Sequence, residues 1–178
     1  MSKKIIITSL VLLFVITGCK KSETANMQKS LVEPEKKVAV LMAPYKFSEE
    51  ELGYAIRFLE RDKRPYDLVS IQEGVFKGPS GKEYSVKKTA SELKTEEYSS
   101  LVVVGGEGMA MIASDDSLNL LVNQFGKAGK KVAGIGQGNQ VLQKAIDKGV
   151  ASSSDMFVPQ VTATSSEEAI NQIISSLN

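Results

Sequence analysis

The sequence predicts an α/β domain built on a doubly wound, mostly parallel sheet with helices on both faces. Short apolar runs such as residues 101–104 have the pattern of strands that are buried on both sides. Between these runs lie segments whose apolar residues recur at helical spacing. Strands that alternate with helices imply parallel pairing and right-handed crossovers. With 42% hydrophobic and 24% charged residues, the composition is that of a globular protein.

The first strand and helix are predicted after residue 37. The apolar run at 38–42 is the strand, and Ser48 opens the helix as its N-cap, with Glu51 three residues later as the partner in a capping box. Behind this cap the apolar residues form one stripe at i, i+3, i+4 and i+7, namely Leu52, Ala55, Ile56 and Leu59. Pro65 ends the helix, and residues 66–72 form the second predicted strand.

The second half of the domain continues the alternation. Residues 75–77 and 83–86 predict a hairpin around a Gly-Pro-Ser-Gly turn. The remaining predicted elements are a strand at 101–104, a helix over 118–125, a strand at 132–135, a helix over 141–146, a strand at 156–158 and a helix that begins near Thr164, with Glu167 as its capping partner. This order predicts a three-layer sandwich of the flavodoxin-like type.

The start of the chain predicts a lipoprotein signal peptide. Lys3 and Lys4 precede an apolar run at 5–16, which is shorter than the ~20 residues that a membrane-spanning helix needs. The run ends in Ile-Thr-Gly-Cys, which resembles the lipobox of bacterial lipoproteins. In those proteins the cysteine, here Cys19, receives a diacylglycerol and the chain is cut before it. The alternatives are an uncleaved anchor and an incidental cysteine.

Three segments follow from this prediction: a signal peptide at 1–18, a polar flexible tether at 19–37 and the folded domain at 38–178. A flexible tether of this length spans about 24 Å on average. The expected location is the cell membrane or the outer membrane, with the domain outside the cytoplasm and lipid on Cys19 as its attachment.

Composition excludes several kinds of chemistry. The chain has no histidine and one cysteine, so it has no Ser-His-Asp triad, no Cys-His pair, no imidazole metal ligand and no intrachain disulfide. A net charge of +1 gives no reason to expect nucleic acid as a partner. The glycine-rich turns match neither a dinucleotide fingerprint nor a P-loop. No cofactor and no metal are therefore predicted.

Two glycine-rich turns carry a resemblance to a known family. Residues 98–106, Tyr-Ser-Ser-Leu-Val-Val-Val-Gly-Gly, resemble a strand of the ThiJ/PfpI family, within the class I glutamine amidotransferase-like superfamily. Residues 129–138, Gly-Lys-Lys-Val-Ala-Gly-Ile-Gly-Gln-Gly, resemble its nucleophile elbow. Residues 66–86 resemble the hairpin segment of the family. These motifs occur in the family's order over residues 37–150.

The resemblance implies an active site whose reactive side chains are missing here. In the family the elbow carries a cysteine nucleophile, commonly followed by histidine, and the first helix presents a glutamate to the thiol. The resemblance places these three on Gly136, Gln137 and Ser48. Glu49, one position from Ser48, is the glutamate if the register is shifted by one residue.

The missing side chains predict a catalytically silent domain that binds a small ligand or a protein partner. One alternative is an enzyme of glyoxalase/deglycase or hydrolase type that uses other residues. Another is a structural envelope lipoprotein. Pairing with a second copy of this chain, as a homodimer, is a further alternative.

The candidate binding site consists of backbone. The amides of the two turns can converge on an anion, and their residues are Gly105, Gly106, Glu107, Gly136, Gln137 and Gly138. Ser48 and Glu49 are weaker candidates, since a helix cap already explains the serine. The alternative is that the glycines only permit close packing of helix on sheet.

Overall fold

The computed structural model describes residues 35–148 and 166–177. The signal peptide, Cys19, nearly all of the tether, the predicted strand at 156–158 and the predicted helix start at Thr164 lie outside the described residues.

A five-stranded parallel sheet forms the centre of the domain. Its strands are β1 (Lys37–Leu41), β2 (Tyr66–Ser70), β5 (Lys88–Thr89), β6 (Tyr98–Val103) and β7 (Lys131–Gly134). Their spatial order is β5-β2-β1-β6-β7, and Val40 of β1 lies between Leu68 and Val102. The strands that follow β1 in the chain, β2 and β5, lie on one side of it, whereas β6 and then β7 lie on the other side. This order confirms the doubly wound sheet.

Five helices accompany the sheet in the described part of the chain: α1 (Glu49–Arg61), α2 (Glu107–Ile112), α3 (Asp116–Lys127), α4 (Asn139–Asp147) and α5 (Glu167–Ser176). α1 packs against α5, and α3 packs against α4. Because right-handed crossovers that lead in opposite directions place their helices on opposite faces, α1 and α3 cover different sides of the sheet. The flavodoxin-like arrangement is thus confirmed.

The core consists of the strand interiors and the predicted helix stripes. Residues 38–41 have no exposed surface. Leu52, Ala55 and Leu59 of α1 are buried as their spacing predicts, and Ile56 is partly buried against them. On α3 the buried stripe comprises Leu118, Leu121, Val122 and Phe125.

The predicted hairpin is present as β3 (Gly74–Lys77) and β4 (Glu83–Val86), an antiparallel pair. Two elements, α2 and β5, were not predicted, since six and two residues are too short to show a period. β2 ends at Ser70 and not at residue 72. α5 begins at Glu167 with Ser166 as its N-cap, so Glu167 is the first helical residue.

Among the described residues, no helix combines the length and the hydropathy needed to cross a membrane.

Candidate functional site

The candidate site lies at the carboxyl ends of β1, β6 and β7. The strand order reverses between β1 and β6, and open α/β sheets bind ligands at such a point. The loop after β1 is joined there to the turn after β6, because the Ser48 N–H donates to the Gly105 carbonyl over 3.0 Å. In the third segment, the turn after β7, the Ile135 N–H donates to the Val103 carbonyl over 2.8 Å. Backbone contacts thus fix all three segments relative to one another.

The glycines of these turns are required by close packing. A Cβ added to Gly105 would lie 2.7 Å from the Ile135 carbonyl oxygen, and one added to Gly106 would lie 2.5 Å from the Lys46 carbonyl oxygen. A Cβ on Gly138 would overlap the backbone of β6. These contacts support the alternative interpretation, in which the glycines permit close approach of the backbone.

Gly136 has a different environment, because it is exposed and has a φ of +51°. This positive φ is what the elbow interpretation predicts for the residue in the place of a nucleophile. A Cβ built on Gly136 would point at a side chain and lie 2.5 Å from Oε1 of Glu51. The space in which a nucleophile would stand is therefore next to a carboxyl group.

Glu51 corrects the assignment of the glutamate. The side chain that faces residue 136 belongs neither to Ser48 nor to Glu49. Glu51 is only 5% exposed, and its Oε2 accepts a hydrogen bond of 2.9 Å from the Gly105 N–H. The predicted capping box is half formed: the Ser48 hydroxyl accepts from the Glu51 N–H over 3.3 Å, whereas the Glu51 carboxyl turns inward to the elbow.

Burial raises the pKa of Glu51, and the hydrogen bond from the Gly105 N–H offsets only part of that effect. The negative charge of Glu50 raises the pKa further. The site therefore favours the protonated form of Glu51 more than water does. A carboxyl group in that state can donate a proton or a hydrogen bond to a molecule placed beside Gly136.

Glu49 is partly exposed and binds the hairpin. One carboxylate oxygen accepts from the Ser80 hydroxyl over 2.5 Å and from the Tyr84 hydroxyl over 3.3 Å, and the other accepts from the Ser80 N–H over 2.8 Å. The hydrogen bonds from Ser80 lower the pKa of Glu49 below its usual value. Glu49 thus fastens the hairpin to α1, away from Gly136.

The proposed amides are partly engaged within the protein. The Gly106 N–H donates to Oε1 of Gln137 over 2.9 Å, and the Gly138 N–H donates to the Ile135 carbonyl over 2.8 Å. The carboxylate of Glu107 is on the surface, 3.2 Å from the ammonium of Lys46. An anion at this site must first displace the Gln137 side chain from Gly106.

Within residues 35–148 and 166–177, no three carboxylate or thiol side chains are arranged to hold a metal ion.

The sequence model of the DJ-1/PfpI family matches residues 36–158, which is more than half of the chain. The chain belongs to the DJ-1/PfpI family. It is 31% identical over 110 residues to an uncharacterized protein of Methanocaldococcus jannaschii, covering 61% of this chain and 54% of that protein. It is 26% identical over 106 residues to the deglycase PfpI of Pyrococcus furiosus, covering 60% of this chain and 64% of that enzyme. The chain thus spans between half and two thirds of these relatives.

Solved structures of the family have the same fold. A ThiJ/PfpI domain protein from Brachyspira murdochii superposes with a TM-score of 0.63 at 20% identity, covering 80% of this chain and 99% of that one. DJ-1beta of Drosophila melanogaster gives a TM-score of 0.63 at 18% identity, over 80% and 90% of the two chains.

Sequence reasoning missed the role of Glu51 although a signal was present. Glu51 precedes Ala55 by one helical turn, so it lies on the buried stripe of α1. An acidic residue on an apolar stripe is rarely buried without a polar partner. The capping box already explains a glutamate at residue 51, so the sequence alone gives no further reason to place Glu51 in the site.

Proposed function

We propose that this protein is a membrane-anchored lipoprotein with a catalytically silent DJ-1/PfpI domain, which binds a small ligand or a protein partner and leaves it chemically unchanged. The observation that supports the silent domain is the elbow. Gly136 has the positive φ of the nucleophile position but no side chain, and the carboxyl group of Glu51 is directed at the space above it.

In the part of the chain that the structure describes, the side chains around Gly136 supply no thiol nucleophile of the kind the family uses. Gln137 and Asn139 carry amides, and Asn139 donates to the Gly136 carbonyl over 3.2 Å. Covalent catalysis by an elbow needs a thiol or a hydroxyl with an adjacent base. The deglycase activity in the name of the Pyrococcus furiosus relative is therefore not transferred to this chain.

A second candidate function uses Glu51 as an acid–base group without a covalent intermediate. The observation that favours it is the buried carboxyl, whose raised pKa suits proton transfer closer to neutral pH. Under this hypothesis the protein is an enzyme of glyoxalase/deglycase or hydrolase type that works through Glu51.

One assay separates the two functions. The full chain is incubated with methylglyoxal and loss of the aldehyde is followed, alongside Glu51→Gln. Glu50→Gln serves as the matched control, because Glu50 is an exposed carboxylate of the same helical turn. The silent domain predicts background rates for all three proteins. Turnover that survives in Glu50→Gln and disappears in Glu51→Gln would establish the second function.

The anchor has its own test. Cells that express the full chain are fed radiolabelled fatty acid, and we expect label on the parent protein, none on Cys19→Ala, and parental label on the control Ser22→Ala. The Cys19→Ala protein should also remain unprocessed. Label that persists on Cys19→Ala would refute lipidation at that residue.

A further inference from the structure

The edge of the sheet next to β2 is only partly covered. Residues 66–68 pair with β1 on one side, but on the other side β5 pairs with Val69 and Ser70 alone, so in the described part of the chain these three residues have no paired strand there. The uncovered backbone borders a cleft of about 410 Å³, to which Ser85 and Lys87 contribute from the far side. A three-residue strand edge measures about 10 Å. The cleft therefore offers room for a short stretch of extended chain beside β2.

The cleft is lined mainly by positive charge. Three of its lining residues are lysines, Lys37, Lys87 and Lys88, and one is acidic, Asp67. Asp67 is 3.1 Å from Lys37 and 3.4 Å from Lys88, so its charge is already shared between them. Lys88 is also 3.1 Å from a carboxylate oxygen of Glu97, so the excess positive charge is carried mainly by Lys87. Lys87 is exposed, and no other described residue pairs with its ammonium. A ligand in this cleft thus meets an excess of positive charge.

Hydrogen bonds around the buried Tyr98 hold this arrangement in place. The Tyr98 hydroxyl, on a fully buried residue, donates to Asp67 over 2.7 Å and accepts from Lys88 over 2.9 Å. Burial opposes the charged form of Asp67, but the hydrogen bonds from Tyr98 and Lys37 outweigh it and lower the pKa of that carboxyl. These contacts therefore fix the side chains of Asp67, Lys37 and Lys88 before any ligand binds.

We propose that this cleft binds an extended, acidic peptide segment of a partner protein, which adds to the sheet as a strand beside residues 66–68. Unpaired backbone groups at a sheet edge are satisfied by main-chain hydrogen bonds from an added strand. Carboxylates on that strand would meet Lys37, Lys87 and Lys88, and this charge complementarity selects an acidic segment over a neutral or basic one. The cleft lies at the amino ends of the strands and the elbow at the carboxyl ends, so this binding does not depend on the chemistry of the elbow.

The test uses the full chain in a mild non-ionic detergent and three synthetic octapeptides. The first alternates valine and glutamate, the second replaces each glutamate by glutamine, and the third has the first sequence with an N-methylated backbone. We expect the first peptide to bind and to slow amide exchange at residues 66–68. The glutamine peptide should bind about tenfold more weakly, which corresponds to ~1.4 kcal/mol, and the N-methylated one should not bind.

Two variants of the protein complete the test. Lys87→Glu should weaken binding of the valine–glutamate peptide about tenfold or more. Lys144→Glu, an exposed lysine of α4 with the same change of charge, should leave it unchanged. Absence of binding at millimolar peptide would overturn the proposal. So would equal binding of the N-methylated peptide, which would indicate a small-anion pocket, or equal weakening by both variants, which would indicate net charge alone.

Discussion

At the scale of single residues, Glu51 links the first helix to the elbow. Its carboxyl group satisfies the Gly105 N–H and approaches the space above Gly136. The same residue should dominate the pH dependence of the site.

Glu51→Gln should remove a pH-dependent cost of folding. Burial raises the pKa of Glu51 in the folded state above the 4.5 of a free side chain. The folded state therefore binds more protons than the unfolded state above pH 4.5, and the stability of the parent falls as pH rises toward the folded pKa. Glutamine keeps an acceptor for the Gly105 N–H and carries no charge. The free energy of unfolding of Glu51→Gln, measured in urea, should increase relative to the parent over that window and then level off.

Two controls bracket this result. Glu73→Gln changes an exposed carboxylate outside α1 that does not act on Glu51, and it should show a difference from the parent that does not vary over the same window. Glu51→Ala leaves the Gly105 N–H without its acceptor, which should cost about 1–3 kcal/mol. A difference between Glu51→Gln and the parent that is independent of pH would contradict a raised pKa.

The position of Glu51 also marks where prediction from sequence stopped. The resemblance to the family places the elbow at Gly136, where the structure has a positive φ, but it places the glutamate on Ser48 or Glu49. Those two face the helix cap and the hairpin. Which residue of the first helical turn faces the sheet depends on the rotation of the helix about its axis. Consecutive residues point in different directions, so an error of one or two positions in the alignment assigns the glutamate to the wrong residue.

At the scale of elements, close approach between turns and strands decides which glycines are essential. Gly138 has an ordinary φ near −57°, yet a Cβ there would overlap the Val103 carbonyl of β6. Gly129 has a φ of +66° but open space around it. The two positions therefore separate packing from backbone conformation.

Gly138→Ala should destabilise the domain more than Gly129→Ala. The first forces α4 away from β6, which we expect to cost about 3 kcal/mol or more. The second places alanine in the left-handed region, which costs ~1 kcal/mol. Chemical denaturation of both variants tests this order. Equal losses would show that α4 can shift without cost and that close packing does not determine the turn.

Elements with a clear period could be predicted, and those without one could not. α1, α3 and the apolar strands follow from their stripes and runs, and the hairpin follows from its turn residues. β5 and α2 are defined by their neighbours: Lys88 and Thr89 form a strand only because β2 lies beside them. The cleft beneath β5 was unpredictable for the same reason.

At the scale of the whole molecule, the site exists because the fold joins three distant segments. The Ser48 N–H meets the Gly105 carbonyl, the Gly105 N–H meets Glu51, and the Gly106 N–H meets Gln137. No single segment contains this geometry. A reactive group added at the elbow would report on all three segments at once.

Gly136→Cys in the full chain, with Cys19 replaced by serine, tests the central claim most directly. The measurement is the rate of alkylation by iodoacetamide, compared with Ser91→Cys, an exposed loop position. A helix start lowers the pKa of a nearby thiol, so the thiol introduced at residue 136 should react faster than the one at residue 91. The positive φ should cost the variant about 1–3 kcal/mol, and the Glu51 carboxyl, 2.5 Å from a Cβ at residue 136, must also move aside. A thiol at residue 136 that reacts no faster than the control, in a protein more stable than its parent, would show that residue 136 does not stand in the place of a nucleophile.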